Sequence, residues 1–92
     1  MSHTIWKQTL EPLGGVQTIM LPAGAEMLFA RAQRGEVCVW YRCDPEAPKE
    51  PRELVAVMTG APAPSPEDGR HLGSALLHGG SLVVHVFERI KP

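Results

Sequence analysis

Residues 70–90, RHLGSALLHGGSLVVHVFERI, carry the pattern that decides the fold. Two β-rich runs, 70–77 and 81–90, flank His78-Gly79-Gly80, and a short glycine turn between such runs is typical of a β-hairpin. With the two glycines as the turn, the predicted register pairs Leu77 with Leu82, Leu76 with Val83, Ser74 with His85, Leu72 with Phe87 and His71 with Glu88. Both faces of this hairpin are mostly apolar, which predicts that it lies at the centre of the fold.

Other β-rich runs, separated by glycine and proline turns, extend outward from this hairpin. Strands are predicted over residues 4–10, 16–21, 37–41 and 52–59. Residues 25–33 favour a helix by propensity, but the reversal at Arg34-Gly35 and the strong β run that follows favour a strand. Proline-rich loops are expected over residues 44–51 and 60–69. The chain is therefore expected to form one all-β domain over residues 1–92, with about seven short antiparallel strands in a sandwich or partly open barrel.

Length and charge restrict the class of protein. A chain of 92 residues forms one domain with a modest core, which leaves no room for an enclosed large cofactor. A net charge of −1 without a basic run disfavours nucleic acid as a partner. No apolar run is long enough to span a membrane, and no secretory leader is recognisable. Cys38 and Cys43 are expected to be free thiols, so the sequence predicts a cytoplasmic protein with no membrane partner.

A second hairpin, which turns at Arg34-Gly35 and so places Phe29 opposite Trp40, separates its side chains into two unlike faces. The core face is expected to carry Leu28, Ala30, Ala32, Val37, Val39 and Tyr41. The opposite face is expected to carry Met27, Phe29, Arg31, Gln33, Cys38, Trp40 and Arg42. Aromatic and guanidinium groups are enriched at protein interfaces, so Phe29, Arg31, Trp40 and Arg42 are candidate binding residues. Two alternatives stay open: these side chains cover a second small cluster, or they stack a nucleotide or another ring.

The histidines at 71, 78 and 85 do not predict a metal site. In the predicted register His71 and His85 lie three rungs apart, or about 10 Å, which is too far for one ion to join them. His85 faces Ser74 on an apolar face, where it is either a core histidine satisfied by hydrogen bonds or a functional group. We keep His85 as a candidate binding residue and predict no metal and no other cofactor.

No catalytic pattern in the sequence is complete. The glycine pairs at 14–15 and 79–80 lack the lysine and the helix start of a phosphate-binding loop. No serine has a local partner that suggests a triad, and Cys38 has no paired base. We therefore expect a protein that is not an enzyme and assign no catalytic residues.

The order of short motifs along the chain resembles a family of short proteins of unknown function from bacteriophage and prophage genomes. The motifs are Thr4-Ile5-Trp6-Lys7, MLPAGA at 20–25, Gln33-Arg34-Gly35, Cys38-Val39-Trp40, Asp44-Pro45 and LVVHVFE at 82–88. The resemblance implies a small phage-type accessory protein, and it brings no catalytic residues with it. It also raises the expectation of a host or phage protein as the binding partner.

Three functional hypotheses follow from the sequence. The first is a non-enzymatic protein-interaction module that acts through the aromatic and arginine residues of the second hairpin or through the 60–69 loop. The second is a domain that binds a small molecule or a nucleotide through His85 and nearby aromatic rings. The third is a homo-oligomeric structural protein that pairs through an exposed edge strand.

Overall fold

A computed structural model describes residues 2–90 and contains seven β-strands within that range. The strands are β1 (Thr4–Leu10), β2 (Gly15–Pro22), β3 (Glu26–Gln33), β4 (Glu36–Cys43), β5 (Lys49–Met58), β6 (Gly69–Leu77) and β7 (Leu82–Arg89). One short 3-10 helix, His78–Gly80, connects β6 to β7. The predicted all-β domain is confirmed. Residues 25–33, for which helix and strand propensities competed, contain the strand β3.

The strands form one sheet in the order β1-β4-β3-β6-β7-β5-β2, which curls into a nearly closed barrel. β1 and β2 are the edge strands, so the barrel is open between them. The expected antiparallel pairing holds at every junction of the described strands except that of β3 with β6, which is parallel. This junction is bridged at one residue pair, Ala30 and Gly73.

The inward side chains of the curled sheet form one hydrophobic core. Its largest fully buried members include Leu21, Met27, Val37, Leu54, Val84 and Val86. Complete burial of an aliphatic side chain stabilises the fold by about 1.5–3 kcal/mol. Residues 2–90 contain no α-helix that could cover the sheet. Opposite parts of the inner face of the curled sheet therefore pack against each other.

The β6–β7 hairpin has the predicted register near its turn and a different one further away. Residues 73–77 pair with 82–86, and Ser74 lies opposite His85 as predicted. A β-bulge at Leu72 then shifts the pairing, so that His71 faces Phe87 and Arg70 faces Glu88. The predicted pairs of His71 with Glu88 and of Leu72 with Phe87 are therefore wrong, because a bulge adds one residue to one strand only.

The β3–β4 hairpin shows the same combination of a correct turn and a missed bulge. Arg34 and Gly35 form the turn with φ of 53° and 77°, and Phe29 pairs with Trp40 as predicted. A bulge between Met27 and Phe29 then shifts the register. Met27 is buried at 2% exposure and Leu28 is 37% exposed, so the predicted faces of these two residues are reversed.

The first proline-rich segment is shorter than predicted, because β5 begins at Lys49. Pro51 lies inside this strand and opposite Met20 of β2. β7 pairs only with residues 54–58 of β5, so Pro51 lies beyond the end of β7 and interrupts no ladder on that side. The loop that follows β4 therefore ends at residue 48.

Candidate functional site

Four of the five predicted binding residues lie on the outer side of β3 and β4. Phe29, Arg31, Trp40 and Arg42 together form a surface that we call the aromatic–arginine face. Strand pairing places Phe29 directly opposite Trp40. The edge strand β1 extends the surface on the other side of β4, where Lys7 pairs with Trp40.

The centre of this face is a stacked aromatic pair. The ring centroids of Phe29 and Trp40 lie 4.9 Å apart with an interplanar angle of 12°. The guanidinium carbon of Arg31 lies 5.4 Å from the centroid of the Phe29 ring, within the range of a cation–π interaction. Because the two rings already stack on each other, no planar base can enter between them without separating the pair.

The charged groups of the face differ in whether they have partners. Arg42 forms an ion pair with Glu26, in which Nε donates to Oε1 at 2.9 Å. Lys7 Nζ donates a hydrogen bond to Gln33 Oε1 at 2.7 Å. Arg31 forms no ion pair within residues 2–90, and its Nη1 donates only to the adjacent carbonyl oxygen of Ala30, at 3.1 Å. Of the two arginines of this face, Arg31 is therefore the one that is free to bind a carboxylate.

Two apolar side chains that the alternation of residues along the hairpin does not assign to this face enlarge it. Ile5 of β1 is 57% exposed and lies opposite Arg42, and Leu28 is turned outward by the bulge in β3. Phe29 itself is 38% exposed. The position of Ile5 depends on the pairing of β1 with a strand about thirty residues away, for which no local pattern is available. The bulge that turns Leu28 outward also leaves no mark in the alternation of polar and apolar residues.

Two residues predicted for this face are buried. Met27 is in the core, as described above. Cys38 lies on the outer side of β4 but is fully buried beside Thr9, whose Oγ1 is 3.8 Å from Sγ. Cys38 is therefore not accessible as a nucleophile or as a binding group.

The second thiol, Cys43, belongs to the core and is also free. Burial raises the pKa of the Cys43 thiol above its ordinary value, and the charge of Asp44 raises it further, while the charge of Lys49 lowers it. Burial, followed by the charge of Cys43, likewise raises the pKa of Tyr41. These shifts favour the protonated, unreactive forms of both groups.

The structure does not bring His85, the fifth predicted residue, to the aromatic–arginine face. His85 is on β7, which is separated from β3 by β6. Its Nδ1 is 2.8 Å from Ser74 Oγ, and its Nε2 is 2.8 Å from Thr59 Oγ1. Both ring nitrogens thus have hydroxyl partners, of which Ser74 was predicted and Thr59 was not.

The bulge at Leu72 also changes the surroundings of this histidine. His71 Nε2 lies 3.4 Å from the same Ser74 hydroxyl, so the two imidazoles are closer than the spacing predicted from an unbulged ladder. The His71 ring contacts Phe87 with centroids 5.2 Å apart. A hydrogen-bonded row therefore crosses the outer side of β6 and β7 and ends at Thr59, which follows β5.

The fold and the face define a small all-β domain with a curled seven-stranded sheet and an aromatic and cationic surface on its outer side. No helix in residues 2–90 is long and apolar enough to cross a membrane. The chain belongs to a family described as a domain of unknown function (DUF7352), whose model matches residues 1–92. Comparison with curated proteins and with solved structures finds no match.

Proposed function

We propose that this domain is a non-enzymatic protein-interaction module, of the phage-type accessory kind, and that it binds its partner through the aromatic–arginine face. The observation that carries the proposal is the partly exposed stack of Phe29 on Trp40, with the guanidinium of Arg31, which has no ion-pair partner in residues 2–90, beside it. Tryptophan and arginine are among the residues that contribute most to binding energy at protein interfaces.

The geometry of the face supports this proposal in energetic terms. The stack holds both rings in position before a partner arrives, so little side-chain entropy is lost on binding. The exposed side chains of Ile5 and Leu28 add apolar area around the stack. The Arg42–Glu26 ion pair lies at the edge of the face, where charges affect the rate and specificity of association more than affinity.

Two observations favour a protein over nucleic acid as the partner. The rings of Phe29 and Trp40 stack on each other and leave no space for a base between them, and the charge of the chain is unsuitable. The chain has a net charge of −1, so it has no overall positive field for a phosphate backbone. The resemblance to phage and prophage proteins supports a host or phage protein, and the two free thiols support a cytoplasmic location.

The proposal is tested with tagged protein as bait in a lysate of the host cell and with two variants of the face, Phe29→Ser and Arg31→Glu. A protein captured by the native chain is identified by mass spectrometry, purified and titrated against each variant. We expect each substitution to weaken binding at least 30-fold, because loss of a central interface residue typically changes the binding free energy by about 2 kcal/mol or more.

Matched controls carry the same chemical changes away from the face. Leu76→Ser removes a side chain that is 62% exposed on β6, and Arg34→Glu reverses a charge in the β3–β4 turn. Both controls are expected to bind like the native chain, and thermal melting verifies that all four variants are folded. Equal binding by the face variants and the controls would refute the proposal, as would a purified partner that binds only through another surface.

A further inference from the structure

A second surface feature is a cavity of about 500 Å³ at the end of the barrel where β5 and β6 begin and β7 ends. Its charged lining consists of Arg52, Glu53, Arg70, Glu88 and Arg89. Pro51 and Ile90 supply the apolar part of the lining, and Ile90 is 56% exposed. The cavity therefore combines charged groups with an apolar wall, as small-molecule sites do.

Four of these five charged side chains neutralise one another in pairs. Arg52 Nε lies 2.5 Å from Glu88 Oε2, and its Nη1 donates to the carbonyl oxygen of Ala25 at 2.7 Å. Glu50, outside the lining, approaches Arg52 at 3.8 Å. Arg89 Nη1 lies 3.1 Å from Glu53 Oε1. The carboxylates of the lining are thus already bound to arginines.

Arg70 is the exception among the charged groups of the cavity. It forms no ion pair within residues 2–90, and the hydrogen bond of its guanidinium is to the carbonyl oxygen of Met27, at 3.3 Å. Strand pairing places Arg70 opposite Glu88, which is held by Arg52. With Glu50 beside Arg52, the charges around the cavity balance, and Arg70 is the arginine of the lining that has no carboxylate partner within residues 2–90.

We propose that this cavity binds a small organic monocarboxylate, with its carboxylate on Arg70 and its apolar body against Pro51 and Ile90. A guanidinium presents paired N–H donors that match the two oxygens of a carboxylate. A single guanidinium without a carboxylate partner matches the charge of a monoanion, whereas the second charge of a phosphate dianion would have no free cation to bind. The site shares no lining residue with the aromatic–arginine face, because its lining comes from β5, β6, β7 and the adjacent Ile90.

The test uses 4-phenylbutyrate as the probe and follows amide shifts in ¹H–¹⁵N NMR spectra. We expect saturable shifts at millimolar concentrations, centred on residues 52, 70, 88 and 90. The neutral amide of the same acid and inorganic phosphate are the comparison ligands. Both are expected to bind at least tenfold more weakly than the carboxylate.

Variants of Arg70 separate charge recognition from effects on folding. Arg70→Gln is expected to weaken binding of 4-phenylbutyrate at least tenfold, and Arg70→Lys to retain part of the affinity. Arg34→Gln, which removes an arginine in the β3–β4 turn, is expected to leave binding unchanged. Melting curves show whether each variant is folded, and Arg70→Gln should still bind the protein partner of the aromatic–arginine face.

Several results would overturn the carboxylate site. These are the absence of saturable shifts up to about 20 mM probe, equal affinity for the amide, tighter binding of phosphate, and unchanged affinity in folded Arg70→Gln. None of these results bears on the aromatic–arginine face, so the two proposals fail separately.

Discussion

Gly73 lies against the backbone of Ala30 at the parallel junction of β3 with β6. A Cβ atom built on Gly73 would lie 2.2 Å from the carbonyl oxygen of Ala30 and 3.0 Å from its nitrogen. The φ angle of Gly73 is 156°. Because the obstacle is backbone, a side chain at this position would push the two strands apart.

We therefore expect Gly73→Ala to lower the free energy of unfolding by about 3 kcal/mol or more, measured by urea denaturation. Gly79→Ala is the matched control, because Gly79 has a φ of 68° but a Cβ atom added to it would meet nothing within 4 Å. That control should cost only about 1–2 kcal/mol. Similar losses in the two variants would show that the close approach at Ala30 is unimportant.

The raised pKa of Cys43 predicts that the protein loses stability as the pH becomes alkaline. Its pKa is raised in the folded state by burial and by Asp44, whereas the thiol of an unfolded chain has a pKa of about 8.5. The unfolded chain therefore loses this proton first as the pH rises. The contribution of Cys43 is fully present below the unfolded pKa and is lost as the pH rises toward the folded value.

The measurement is the free energy of unfolding from urea titrations between pH 7 and about pH 9.5. Above pH 8 the native chain should lose stability more steeply than Cys43→Ala, whatever the difference between the two at pH 7. Parallel curves for the two proteins would exclude a contribution of this thiol.

At the scale of the element, the β3–β4 hairpin shows how much register a turn determines. Arg34 and Gly35 both have positive φ, which matches the twist of two antiparallel strands and sets the pairing next to the turn. The pairing of Phe29 with Trp40 follows from that register and was predicted from the sequence. The bulge at Leu28 was not predictable, because burial of Met27 in the core decides which face each residue takes.

The stack in this hairpin can be measured with a double-mutant cycle of Phe29→Ala and Trp40→Ala. We expect a coupling energy of about 0.5–1.5 kcal/mol, because stacked aromatic pairs add this amount beyond the area that they bury. Chemical denaturation of the native chain, both single variants and the double variant gives the cycle. A coupling energy near zero would mean that the two rings do not hold each other in position.

At the scale of the whole molecule, one ion pair joins segments that are distant in the sequence. Arg52 of β5 bonds Glu88 of β7, and it also donates to Ala25 after the β2–β3 turn. The side chains of Arg52 and Glu88 are 19% and 12% exposed, so water screens the pair only partly. Removal of the carboxylate leaves a partly buried guanidinium without its main partner.

We expect Glu88→Gln to lower the free energy of unfolding by about 2 kcal/mol and the melting temperature by roughly 10 °C. Glu26→Gln is the matched control, because it breaks the Arg42–Glu26 pair, in which both side chains are about half exposed. The control should cost less than about 1 kcal/mol. Equal losses of unfolding free energy in the two variants would show that burial of the Arg52–Glu88 pair does not increase its contribution to stability.

The candidate sites differ in how far the sequence could predict them. The aromatic–arginine face lies on one hairpin, so the alternation of side chains was enough to bring Phe29, Arg31, Trp40 and Arg42 together. The cavity was not predicted, because Arg52, Arg70 and Glu88 come from three strands. Ile5 was missed for the same reason, since its place depends on the pairing of β1 with β4.

The sequence by itself determined the all-β class, most of the strands and the positions of the turns in both glycine-containing hairpins, although His78 joins the two predicted glycines in the 3-10 helix of the β6–β7 turn. These features depend on local backbone preferences and on a period of two, which a short stretch of residues already expresses. Only the tertiary structure decided the strand order, the two bulges, the parallel junction at Gly73 and the cavity around Arg70. These depend on which distant strands bury each other's side chains, and that choice is made by the packing of the whole core.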